Sequence, residues 1–260
     1  MTLLDNFPIW AVYVGLVVVV LIAAEVGFRV GIWLQDRRDN PGEGKMTGSV
    51  VAGMLGLMAF MMAFTIGIVI NQHGERKAMV VEEANAIGTA WLRAGFLEEP
   101  DLSAVRPLLV EYTEIRIAAA DDPSRSGAVV TRSEEIHNEL WAIMEDNVSR
   151  GNESAIMGLT VDSINDVIDV HSERLFVANL RLPRILGILL LLATMLSFML
   201  VGVASSSDRK RDTSTMIIFA LVFVAVLIVI VDLDRPQEGF LTVPQTAMTD
   251  LLRQITPPGQ

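Results

Sequence analysis

Glu82, Glu83 and Asn85 fall within four consecutive positions, and adjacent carboxylates beside an amide are the residue types that general acid and base chemistry uses. Nothing that would complete a reaction accompanies them. The chain has no cysteine, no phosphate-cradling glycine loop and no serine in a nucleophile-elbow pattern, so no nucleophile stands beside a positioned base and the sequence does not read as an enzyme. A solvated or helix-packing role for the two glutamates is the stronger expectation. His73, His137 and His171 are widely separated and lack the spacing of a helical metal pair, so neither a metal nor another cofactor is expected. Asp232, Asp234, Arg235 and Pro236 form a compact polar cluster that could hold a cation or close the exit of a membrane helix; two carboxylates fall short of the roughly six to eight oxygens that calcium takes. Glu25 and Arg29 lie one helical turn apart within an apolar run, where an ionisable pair must snorkel, face protein or meet water.

The elements that position these residues follow from hydropathy. Of the 260 residues 52% are hydrophobic, while the net charge is −11, so the acidity is concentrated outside the apolar runs and nucleic acid is not an expected partner. Four segments have the roughly 20 apolar residues that cross a hydrocarbon core: Phe7 to about Leu34, Gly48 to Ile70, Ile185 to Ala204, and about Thr215 to Val231. Met1 to Asn6 carries Asp5 and no basic residue, so the first run reads as a retained span rather than a signal peptide. The reading is an all-α membrane protein: spans one and two in 1–70, an acidic helical extramembrane domain in 71–184, spans three and four in 185–234, and a tail in 235–260. Within the domain, turn signals at Glu98–Asp101 and Asp121–Gly127 divide a helix ending near Leu97, another from Leu102 to Ala120, and one or two from Thr131 to about Arg181. No breaker separates the second span from Leu97, so one helix can run the whole way. Pro183 marks a break before the third span.

Arg37, Arg38 and Lys45 follow the first span and Arg209, Lys210 and Arg211 the third; short basic loops stay cytoplasmic, which places the central domain on the other side of a plasma membrane. In the second span Gly48, Ala52, Gly56, Ala59, Ala63 and Gly67 share one helical face, with Met54, Leu57, Met61, Thr65 and Ile68 opposite and Phe60 and Phe64 on one flank. The plain reading packs the small face against another helix and turns the large one to lipid. In the sharper reading copies of this helix surround an axis, and rings of Phe64 and Ile68 form an apolar neck that gates by dewetting.

The run from Glu75 to Arg93, centred on Glu83, Asn85, Gly88 and Thr89, resembles the signature of the bestrophin-like domain family of bacterial membrane proteins. Asp169 to Arg174 before the third span and Asp234, Arg235 and Pro236 after the fourth extend the resemblance over nearly the whole chain. It implies a bacterial inner-membrane protein with a looser likeness to bestrophins, pentameric anion channels whose second helix lines the pore. By that likeness Phe60, Phe64 and Ile68 match the neck and Asn71 and Gln72 its wider mouth, while Gly74 to Lys77 replaces an aromatic pair. The likeness also puts the helical domain and both termini in the cytoplasm, against the charge argument. Together these readings give a homo-oligomeric, pentamer-favoured ion channel among membrane lipid, passing inorganic ions and by resemblance anions. Arg76 and Lys77 at the mouth would attract anions, and Glu75, Glu82 and Glu83 cations. The alternative is a non-conducting scaffold or sensor whose acidic domain binds a protein or ligand.

Overall fold

The computed structural model describes residues 7–37, 45–206, 213–235 and 239–256. All regular structure among them is helical: α1 (Ile9–Asp36), α2 (Lys45–Ala94), α3 (Asp101–Asp121), α4 (Ser126–Ser149), α5 (Ala155–Asn179), α6 (Arg184–Ser205), α7 (Thr213–Asp234) and α8 (Thr246–Ile255), with one 3-10 turn at Pro123–Arg125. Four of these helical stretches are long and apolar enough to cross a membrane. The chain divides into two compact units, one of residues 1–71 and 181–241, the other of 72–180 and 242–260. Arg38, Arg209, Lys210, Arg211 and Pro236 lie outside the described residues, as do the first six residues.

The first unit packs α1 against α6 and α7. Val20, Ala23 and Ala24 of α1 meet Phe198 of α6 and Ala220 and Val224 of α7. Phe198 also stacks near Phe219 and Phe223, at centroid distances of 5.2 and 5.3 Å. Small residues bring the backbones of α1 and α6 together, the way helices associate where water supplies no hydrophobic drive. A Cβ placed on Gly27 would run into the Met199 carbonyl, and one on Gly202 into that of Ala24. Gly202→Ala must therefore push two helix backbones apart, and is expected to cost about 1–3 kcal/mol, read as a lower midpoint in thermal unfolding of the detergent-solubilised protein. The part of α2 before Gln72 presents Met58, Met62 and Val69 to Leu190 and Ala193 of α6 and Leu227, Ile230 and Leu233 of α7.

The second unit is an amphipathic helical assembly. Val105, Leu109 and Tyr112 of α3, Ile136, Leu140 and Met144 of α4, and Met157, Ile164 and Val167 of α5 recur at helical spacing and close one core with Val80, Ala84, Ile87 and Ala90 of α2. The Ser154 hydroxyl caps α5 by accepting from the Met157 N–H at 3.1 Å. This helix stops at Asn179 because Leu180 is extended and Leu182 precedes Pro183, which disfavours helical backbone at the residue before it; Pro183 then supplies the N-cap of α6. The stretch read as a tail contains α8, whose Met248, Leu251 and Ile255 are buried in the same core.

Candidate functional site

The second unit buries an ionic cluster that draws on α2, α3, α5 and the segment before α8. Glu83 is fully buried. Its Oε1 accepts from the Tyr112 hydroxyl at 2.6 Å and from Arg116 Nε at 3.0 Å, and its Oε2 accepts from Arg174 Nη1. Arg174 Nη2 donates to Gln245 Oε1 at 2.8 Å, and Gln245 in turn donates to the Val243 carbonyl at 3.1 Å. One carboxylate between two guanidiniums leaves the cluster one positive charge in excess. Burial lowers both guanidiniums, Arg174 to about 10, which leaves Arg174 protonated at neutral pH.

Two imidazoles complete the group. The His171 Nδ1 lies 3.0 Å from the Tyr112 oxygen, and the His137 ring is centred 4.8 Å from that of His171 and 5.0 Å from that of Tyr112. Burial raises the Tyr112 phenol above its ordinary range, so it keeps its proton and donates a hydrogen bond with it to Glu83. The phenol oxygen must then accept from His171, which fixes the Nδ1–H tautomer. Burial, and then the positive charge of Arg116, lower His137 to about 4 and His171 to about 3, so both rings are neutral at pH 7. Among the described residues, the Nε2 atoms of both, and the Ser133 hydroxyl one turn before His137, are buried without a hydrogen-bond partner. No group here is both nucleophilic and open to a substrate. The arrangement can hold distant helices in one register, and it can respond to a proton.

The family-motif positions separate in space by role. Glu83 and Arg174, 91 residues apart, form an ion pair. Gly88 lies against α8, where a Cβ would come 3.2 Å from Leu251 Cδ1. Asn85, Thr89 and Asp169 are exposed, with the Asp169 carboxylate accepting from Asn165 Nδ2 at 2.8 Å. In the first unit Asp232 is buried and accepts from the backbone N–H groups of Phe240 and Leu241 at 2.9 and 3.0 Å. A Cβ on Gly239, at φ +135°, would strike this carboxylate. Asp234 accepts from the Leu182 N–H at 2.6 Å, and Arg235 donates to the Phe7 carbonyl at 3.0 Å. Of the two roles open to the acidic cluster, closing the end of α7 is the one its hydrogen bonds perform. Among the described residues no group of three or more His, Asp or Glu side chains is arranged to hold a metal.

The face of the second span that packs inward lies between its small and its large side: of Met54, Leu57, Met61, Thr65 and Ile68 only Thr65 is buried, and Leu57 is 55% exposed. Met58, Met62, Thr65 and Val69 are buried, Ile68 is half-buried, and Phe60 and Phe64 are 68% and 63% exposed. The small-residue side is open: Ala52, Ala59 and Ala63 are exposed, and nothing lies within 4 Å of a Cβ built on Gly53, Gly56 or Gly67. Asn71 is exposed on the same helix. In the second unit Gln72 is half-buried, Glu75 and Lys77 are exposed, and Arg76, with 4% exposure, donates to the Leu180 carbonyl at 2.5 Å. Arg76 thus caps the end of α5 and presents little charge to solvent.

Tyr112, Arg116, His137 and Gln245 are the cluster members that sequence reasoning missed. Their one local signal is the buried face of α3, on which Tyr112 and Arg116 follow Val105 and Leu109 at helical spacing. Compared with known families, residues 11–248 match the model described as Bestrophin-like domain. No curated protein and no solved structure gives a match.

Proposed function

The chain belongs to the bestrophin-like domain family, and from that premise we propose that it is an oligomeric ion channel of the bacterial inner membrane, anion-conducting, with α2 lining the pore and a pentamer as the favoured ring. The observation that supports this reading is the outward small-residue face of α2 beside exposed Phe60 and Phe64. A glycine and alanine stripe gains little from lipid chains but lets another helix approach closely. In a closed ring of copies, one α2 meets the next along that stripe and Phe60, Phe64 and Ile68 face the axis. An apolar constriction conducts when wetted and discriminates weakly by itself. Selectivity then belongs to the mouth, where Asn71, Glu75 and Lys77 are exposed and Gln72 is half-buried.

The test is current through planar bilayers containing the purified protein under an asymmetric KCl gradient. Reversal near the chloride equilibrium potential supports the reading. Reversal near that of potassium keeps the pore and overturns its selectivity, and a folded, monomeric, silent protein returns the balance to a scaffold or sensor. Phe64→Ala and Ile68→Ala are each expected to raise single-channel conductance by widening the neck. Unchanged current in both variants would remove these residues from the conduction path.

A further inference from the structure

Along α1 and its C-cap, Glu25, Arg29, Trp33 and Arg37 follow one another at four-residue steps, about 6 Å of rise each. Arg29 points away from the first unit's core: Val20, Ala23, Ala24, Gly27 and Gly31 mark the buried face, and the Arg29 side chain is 78% exposed. The Arg37 guanidinium sits 3.9 Å from the centre of the exposed Trp33 ring. Glu25 accepts from Arg29 Nε at 2.7 Å, and among the described residues the Nη groups of Arg29 make no hydrogen bond. Toward the N-terminus the same face continues through Val18, Ile22 and Val26, all exposed.

These residues fall at meaningful depths. Trp10, also exposed, is 23 residues from Trp33, a rise of about 35 Å, which places the two indoles at opposite boundaries of a hydrocarbon core of about 30 Å. Arg29, paired through its Nε with Glu25, then lies one turn inside the Trp33 boundary, where a charged pair facing lipid is costly and a long side chain turns its remaining Nη donors outward toward an anion. Directly below it, the valine and isoleucine lane offers about 12 Å of apolar surface. An anion joined to an apolar chain matches both parts at once.

We propose that this face of α1 binds a phospholipid, its phosphodiester held by Arg29 and Arg37 on either side of Trp33 and one acyl chain lying along Val26, Ile22 and Val18. Planar guanidiniums suit phosphate oxygens, because each can donate two parallel hydrogen bonds. Glu25 orients Arg29 from the deeper side and takes only its Nε–H. The inference is independent of whether the protein conducts.

The experiment is native mass spectrometry of the full-length protein released from nanodiscs of phosphatidylglycerol mixed with phosphatidylcholine, compared with R29Q/R37Q and with R37Q alone. The wild type is expected to keep at least one phospholipid per chain, the double variant to lose it several-fold, and R37Q to fall between, which keeps the test usable should the double variant fail to fold. Diacylglycerol, which has the chains without the phosphate, is expected not to compete, and neither is inorganic phosphate at millimolar concentration. Equal retention in all three proteins overturns the proposal, as does full competition by either probe. A double variant that dissociates from oligomer to monomer overturns it too, because the face would then be a contact between copies.

Discussion

Replacing Glu83 with alanine is expected to destabilise the second unit by about 3–5 kcal/mol, the range for removing one partner of a buried ion pair. The carboxylate is fully buried and accepts from Tyr112, Arg116 and Arg174. Without it, two guanidiniums and a phenol lose their common acceptor in a place that water does not reach. Coulomb attraction is not the net gain here, since all three charges were desolvated to make the contact; the penalty comes from leaving two cations behind. That argument predicts an asymmetry. Glu83→Leu combined with Arg116→Met and Arg174→Met removes every charge, and this triple variant should recover much of the stability that Glu83→Ala alone loses. Thermal unfolding of the three proteins in detergent measures both numbers. A triple variant no more stable than Glu83→Ala would mean that packing, and not uncompensated charge, sets the cost.

The same cluster marks where sequence reading ends. The spans were legible because crossing a bilayer requires long uncharged runs, and α6 and α7 begin and end within about three residues of the positions hydropathy assigns. The continuity of α2 through Ala94 follows from the absence of proline anywhere between Lys45 and Ala94, and the interruption at Leu180 from Pro183. Helix α8 was readable in principle, because Met248, Leu251 and Ile255 repeat at helical spacing, but ten residues after a polar stretch carry little weight without the core they meet. The inward face of α2 was not legible at all. Small and large residues divide that helix into two sides, and sequence alone does not say which face the chain's own helices cover; the covered face is a third one between them, where Met58, Met62 and Val69 fill the space beside α6 and α7 while Leu57 on the large side stays exposed. Glu83 gave the least notice, its partners lying 29, 33 and 91 residues away, beyond any periodicity. The resemblance placed Glu83 and Arg174 in two separate motifs without showing that they touch.

Acid should loosen the second unit before its carboxylates titrate, and the cause should be His137 and His171. Both rings are held neutral in the fold, at about 4 and about 3, first by burial and then by the positive charge of Arg116, with His137 adding to the effect on His171. In the unfolded chain each would titrate near 6.5. The folded values lie below the unfolded one, so as pH falls through 6.5 the unfolded state takes up protons that the folded state refuses. Stability is therefore complete above about pH 6.5 and declines toward about pH 3, by up to about 1.4 kcal/mol per pH unit for each ring. At pH 5 this amounts to about 2 kcal/mol per ring, before ordinary carboxylates protonate appreciably. No acidic group offsets it, because the one carboxylate in the cluster, Glu83, is already shared by Arg116, Arg174 and Tyr112. Unfolding free energies measured between pH 7.5 and 5 should fall steeply for the wild type and much less for His137→Gln/His171→Gln, whose side chains carry no titrating proton. Equal slopes in the two proteins would move the acid sensitivity away from this cluster.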